Sequence, residues 1–125
     1  MRNKQVRVHN DYNIYKPIIS QLFKNLRKKG ILARQNFSCC GSCGSYELFN
    51  YIKDTDKIGY VFWHHQENKS FKKHGEVFLH FSSKSDDDAE TIKIGKTIVE
   101  EIIKLNLPYE WNESASECIH IGHSE

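Results

Sequence analysis

Apolar residues in this chain alternate between two spacings, and that alternation limits the fold to a mixture of helices and strands. Ile14, Ile18, Ile19, Leu22, Phe23 and Leu26 recur at intervals of three and four, the repeat of a helix with one buried stripe. Ile94, Ile98, Val99, Ile102, Ile103 and Leu105 form a second such stripe. It follows Ser85-Asp86-Asp87-Asp88, whose short polar side chains suit a helix start, and Pro108 closes it. Between the two helices, residues 58–66 and 76–81 are rich in branched and aromatic side chains and read as strands. Residues 31–37 read as a shorter strand, 45–54 as a short helix, and 109–111 and 117–121 as two closing strands. Residues 67–75 are polar, with Lys69, Lys72, Lys73 and His74, and read as a loop.

The succession after the first helix is therefore β-α-β-β-α-β, with the last strand split in two. It predicts an α+β fold: an N-terminal helix, then a ferredoxin-like antiparallel sheet with helices on one face. Pro17 is expected in the first turn of a helix that begins near Asp11, and Gly30 fits a left-handed stop after it. Residues 1–10 hold only Val6 and Val8 as apolar side chains. They read as a basic tail ahead of a single domain over residues 11–125. No apolar run approaches the ~20 residues of a membrane-spanning helix. No hydrophobic block follows the N-terminal charges, as a secretory signal would require.

Charge is distributed unevenly. Nine of the eighteen Lys and Arg residues lie in the first 35 positions against one carboxylate, Asp11, so this end carries +8 and the remaining 90 residues −6. Clustered cations gain affinity for polyanions by releasing counterions condensed on phosphates, which points to a nucleic-acid partner. Arg2, Lys4, Arg7, Lys24, Arg27, Lys28 and Arg34 are the candidate phosphate contacts, with Lys72 and Lys73 added from the polar segment. The alternative is a solvated helix face, since Arg27, Lys28 and Lys29 also suit the negative end of a helix dipole.

Cys39, Cys40 and Cys43 crowd into Ser38-Cys39-Cys40-Gly41-Ser42-Cys43-Gly44, and Cys118 is the fourth cysteine. Neighbours so close rarely bridge one another, so a disulfide framework is not expected and a reducing compartment, the cytoplasm, is. The Cys-x-x-Cys spacing of Cys40 and Cys43 lets two thiolates converge on a zinc ion, which takes about four ligands. Cys118 and His120 are the candidates to complete the set, with His123, His64 or His65 as other donors. Small thiols filling a strand-to-helix corner are the alternative. So is a reactive dithiol at a helix start. An enzyme reading pairs Cys40 or Cys43 with His64 and Glu67 as nucleophile and base. Tyr60, Phe62 and His64 share one strand face, and Phe78 and His80 a face of the next. At period two they read as core rather than as a base-stacking platform.

The segment Ala33-Arg34-Gln35-Asn36-Phe37-Ser38-Cys39-Cys40-Gly41-Ser42-Cys43-Gly44 precedes Gly59-Tyr60-Val61-Phe62-Trp63-His64-His65-Gln66. Together they resemble a family of uncharacterised domains with a Cys-Cys-x-x-Cys-Gly segment and a Gly-Tyr-x-Phe-x-His-x-Gln strand. Gly95 and the stretch 107–111 match that family's later helix and closing strand. The resemblance covers roughly residues 20–121 and implies no established activity. In size, basic N-terminus and Lys/Asn/Ile-rich composition the chain is also similar to small ribosome dormancy factors of microsporidia. That resemblance implies docking on ribosomal RNA and ribosomal proteins, and steric blocking of a tRNA site without a catalytic group or a small-molecule substrate. A protein-docking role for the acidic body is the third expectation.

Overall fold

The computed structural model describes the backbone of residues 3–122 and the side chains of residues 12–122. Among the described residues nine elements follow one another: α1 (Asn3–Lys28), β1 (Ile31–Arg34), α2 (Gly41–Ile52), β2 (Gly59–Phe62), α3 (His65–His74), β3 (Val77–Ser83), α4 (Asp88–Lys104), β4 (Tyr109–Glu110) and β5 (Ile119–Ile121). The strands form one sheet in the order β1-β2-β3-β5-β4. The fold is α+β, as expected, but its topology is not ferredoxin-like. β1 and β2 are direct neighbours and run parallel, because α2 crosses over between them; β2–β3, β3–β5 and β4–β5 are antiparallel.

Helices cover both faces rather than one. On one face Ile19, Leu22, Phe23 and Leu26 of α1, Phe71 of α3, and Ile94, Ile98 and Ile102 of α4 pack on Val61, Leu79, Phe81, Ile119 and Ile121. On the other, Leu48 and Ile52 of α2 pack on Leu32, Tyr60 and Phe62. α2 lies against the β2 end of this second face, and over the rest of it His80, His120 and the half-exposed Phe78 project from β3 and β5.

The two stripes seen in the sequence form α1 and α4, but Ile14 and Ile103, expected within them, are 50% and 56% exposed. Asp87 caps α4, its carboxylate accepting from the Glu90 amide at 3.0 Å. α1 begins at Asn3, so Pro17 lies in its interior rather than its first turn, on the exposed side where the missing donor faces water. The expected boundary between residues 10 and 11 falls inside this helix.

Residues 67–75 are not a loop. Residues 67–74 belong to α3, which buries only Phe71 and so shows no apolar stripe. The strand expected over residues 58–66 stops at Phe62, because His64 turns the chain into α3: its Nδ1 accepts the Glu67 amide at 3.3 Å. Gly75 ends α3 with φ 77°, a left-handed conformation that glycine adopts without strain.

Gly44, in the first turn of α2, permits the closest approach of helix to sheet. A Cβ there would lie 2.3 Å from a ring carbon of the fully buried Phe62. At Gly41 a Cβ would come within 2.8 Å of the His80 ring, so the start of α2 is pressed directly against that histidine.

Candidate active site

His80 lies at the centre of the most chemically organised part of the molecule. β2 pairs Phe62 with His80, and their rings stack at 5.1 Å. β3 pairs Leu79 with Ile119 and Phe78 with His120. One step further along the same antiparallel register, Cys118 stands opposite His80. Its Sγ lies 3.5 Å from His80 Nδ1. On the other side of the ring, His80 Nε2 is 3.2 Å from Glu67 Oε2. Glu67 reaches this position from the first turn of α3, set by the His64 cap.

A thiol, an imidazole and a carboxylate therefore stand in line, each within reach of the next. This is the arrangement of nucleophile, base and orienting group that covalent catalysis uses. Beside it is a cavity of about 80 Å³ lined by Ser45, His80, Phe81, Ala115, Ser116, Glu117 and Cys118. It is small and mainly polar.

Burial opposes charge on His80. Hydrogen bonds with Cys118 and Glu67, and their negative charge, outweigh it and push the His80 pKa from 6.5 up to about 10. Burial acts on His64 in the same sense, and there it prevails: the His64 pKa is lowered, with Glu67 compensating in part. The sign for stability follows from His80. The folded form holds a proton that the unfolded chain releases above 6.5, so the contribution is complete below that pH and is lost as pH rises through about 10. Urea unfolding between pH 6.5 and 10 is expected to show stability falling by up to about 1.4 kcal/mol per pH unit, with a flatter profile in His80→Asn.

Glu67 Oε1 is buried without a hydrogen bond and lies 3.5 Å from His64 Nε2. His64, Glu67 and His80 bring one donor atom each within 4.8 Å, close enough for a metal ion. The hydrogen bonding argues against one. Because His64 Nδ1 accepts the Glu67 amide, the neutral ring carries its proton on Nε2, where a metal would need a lone pair. The three side chains fit a hydrogen-bonded acid–base group better than a metal centre.

The other sulfurs form a separate cluster at the start of α2. Cys39, Cys40 and Cys43 place their sulfurs within 4.8 Å of one another and can hold a metal ion. Cys39 and Cys40 are 3.9 Å apart. The amide and thiol of Cys43 draw the Cys40 pKa down, whereas hydrogen bonds with Cys39 and Cys40 push Cys43 up to about 11.

The quartet expected from the sequence does not converge. Cys40 and Cys43 join Cys39, while Cys118 faces His80. His120 is occupied by carboxylates, with Nε2 2.8 Å from Glu76 Oε1 and Nδ1 3.7 Å from Glu110 Oε1. His65 turns away to Asn36, 2.8 Å from its Oδ1, and His123 is outside the described residues.

The candidate phosphate contacts, Arg2 aside, lie on α1, β1 and α3. Arg2 and the side chains of Lys4 and Arg7 lie outside the described residues. Lys24 and Lys28 are exposed on α1. Arg27 donates to the Ala33 carbonyl at 3.1 Å, on strand β1 at one edge of the sheet, and Arg34 lies 6.0 Å above the Tyr51 ring. Lys72 and Lys73 sit in the last turn of α3, which is held against the earlier part of α1 by Tyr12 and Phe71 at 4.7 Å.

A family model matches residues 19–125. The chain belongs to the family described as Domain of unknown function (DUF6891). The DUF6891 match takes in Glu67, His80, Cys118 and all three clustered cysteines, and leaves out the first 18 residues with Arg2, Lys4, Arg7 and Lys16. None of the curated proteins and none of the solved structures matches the chain. Among the described residues, no helix is long and apolar enough to cross a membrane.

The sequence pairs Glu67 and His64 with Cys40 or Cys43, whereas the structure sets Glu67 beside both His64 and His80, with Cys118 on the far side of His80. The missing link was the pairing of β3 with β5, which brings Cys118 across 38 residues to His80.

Proposed function

We propose that this domain is a thiol-dependent enzyme in which Cys118 attacks a small electrophilic carbonyl. The reading rests on one observation: Cys118 Sγ, His80 and Glu67 stand in sequence at 3.5 Å and 3.2 Å. The His80 ring is placed to exchange a proton with the sulfur, whose thiolate is the nucleophilic form. Glu67 orients the ring and balances its charge. In the first step Cys118 forms a bond to the carbonyl carbon, and His80 passes its proton to the departing group. In the second, neutral His80 takes a proton from water as the water oxygen bonds to the acyl carbon; the C–S bond breaks, the carboxylic acid leaves, and His80 returns the proton to sulfur. The 80 Å³ cavity restricts the reacting group to a few heavy atoms. Zinc, the cofactor suggested by the cysteine segment, would be held by Cys39, Cys40 and Cys43 and stands apart from this chemistry.

Substoichiometric iodoacetamide at pH 6.5, followed by peptide mass spectrometry, tests the assignment. Cys118 is expected to be modified first, although Cys39 and Cys43 are more exposed. Faster labelling of Cys39, Cys40 or Cys43, with Cys118 inert, would reject it.

A second reading is docking on structured RNA, such as the ribosome, with steric blocking of a tRNA site in the cytoplasm. The charge of +8 over the first 35 residues and the exposed Lys24 and Lys28 support it. Binding through several phosphates falls steeply with salt. The protein is therefore expected in the ribosomal pellet at low salt and absent at high salt. Absence at low salt would dispose of this reading.

A further inference from the structure

We propose that Cys39, Cys40 and Cys43 form a zinc site with three sulfur ligands and a fourth, solvent-facing position. The proposal deepens the zinc reading above and is independent of the Cys118 chemistry. The first argument is spacing. Zinc–sulfur bonds of about 2.3 Å in a tetrahedron set ligand sulfurs about 3.8 Å apart. Cys39 and Cys40 are 3.9 Å apart, and all three sulfurs lie within 4.8 Å of one another. Small adjustments of χ1 are enough to close the set around an ion.

The second argument is the local backbone. Adjacent cysteines in regular secondary structure point in different directions, yet these two converge. Ser38 has φ 70°, and Cys40 is extended immediately before α2 starts at Gly41. Gly41 is pressed against His80 and Gly44 against Phe62, so the turn is seated on the sheet at two points. The sulfurs thus project from a supported turn rather than a loose loop.

The open position follows from the donor count. Among the described residues, no other histidine, cysteine or carboxylate joins this group within 4.8 Å. Cys118 is engaged by His80, and His120 by Glu76 and Glu110. Cys39 and Cys43 are exposed. Structural zinc sites are closed by four protein ligands, whereas three ligands leave room for water or an incoming donor. The bound zinc is therefore exchangeable, and open to a further thiolate or imidazole from solution.

The test uses the full chain, reduced and stripped of metal, titrated with Zn²⁺ against a chromophoric chelator and with Co²⁺ by absorption. One metal per chain is expected, with thiolate-to-cobalt charge-transfer bands. These should shift on adding imidazole, as a ligand enters the fourth position. Cys39→Ser, Cys40→Ser and Cys43→Ser should each weaken binding at least about 10-fold. Cys118→Ser and His120→Ala should leave it within about twofold, and circular dichroism checks that every variant is folded. Failure to bind either metal would overturn the zinc reading itself. Tight binding that ignores Cys39, depends on Cys118 or His120, or is insensitive to imidazole would overturn the three-sulfur open site alone.

Discussion

Replacing His80 with asparagine is expected to slow alkylation of Cys118 at pH 6.5 by up to about 100-fold. An imidazole 3.5 Å from the sulfur can take up the thiol proton and place positive charge beside the reacting atom, effects that contribute about 100-fold or more, and asparagine supplies neither. Asparagine retains similar polarity and can still face Glu67, which limits structural damage. Glu67→Gln should act in the same direction and more weakly, because it leaves the ring in place but withdraws the carboxylate 3.2 Å from Nε2. Its charge also sustains the high His80 pKa, so the upper limb of the pH–stability profile should move toward neutrality in that variant. Cys39 and Cys43 act as internal controls, and their alkylation rates should be unaltered. Equal rates at Cys118 in wild type and His80→Asn would show that the 3.5 Å approach has no chemical consequence.

The second large effect is on stability. Trp63→Ala is expected to cost about 3–5 kcal/mol, measured by urea unfolding, a large share of the total for a domain of this size. Trp63 is fully buried. Its ring meets Phe23 of α1 at 5.3 Å and Phe71 of α3 at 5.6 Å, both edge to face. The indole nitrogen donates to Asn68 Oδ1 at 3.0 Å. Truncation would open a cavity between two helices and the sheet and strand the Asn68 carbonyl. Trp63→Phe should recover most of the loss by refilling the space. The position also matters for the site. Trp63 precedes His64, the cap of the helix that carries Glu67, so loosening it should also slow Cys118 alkylation in any molecules that remain folded. A loss below about 1 kcal/mol would mean that this corner of the core relaxes far more easily than its packing implies.

Elements that carry their own signal were legible in the sequence. The stripe and acidic cap of α4, the stripe of α1 with Gly30 behind it, and the branched runs of β2 and β3 each record their conformation locally. α3 did not, for two physical reasons. It buries one residue in ten, and a histidine caps it instead of the serine, threonine, asparagine or aspartate that usually marks a helix start. The parallel pairing of β1 with β2 was also hidden, because strand order is decided by packing between distant segments rather than by any one of them. The site shared that difficulty. Cys39, Cys40 and Cys43 are neighbours in sequence and drew attention as a group, whereas Glu67, His80 and Cys118 meet only through the register of β3 on β5 and the turn into α3. If residues 67–75 formed a loop, Glu67 would be one more solvated carboxylate.

Intact-mass analysis after rapid quenching of the protein with a small activated ester is the most direct examination of the thiol assignment. A single acetyl increment mapping to Cys118 is expected, appearing as a burst and decaying as water releases it, and missing from Cys118→Ser and His80→Asn. An unmodified Cys118, with acetyl groups confined to Cys39, Cys43 or lysines, would contradict the account.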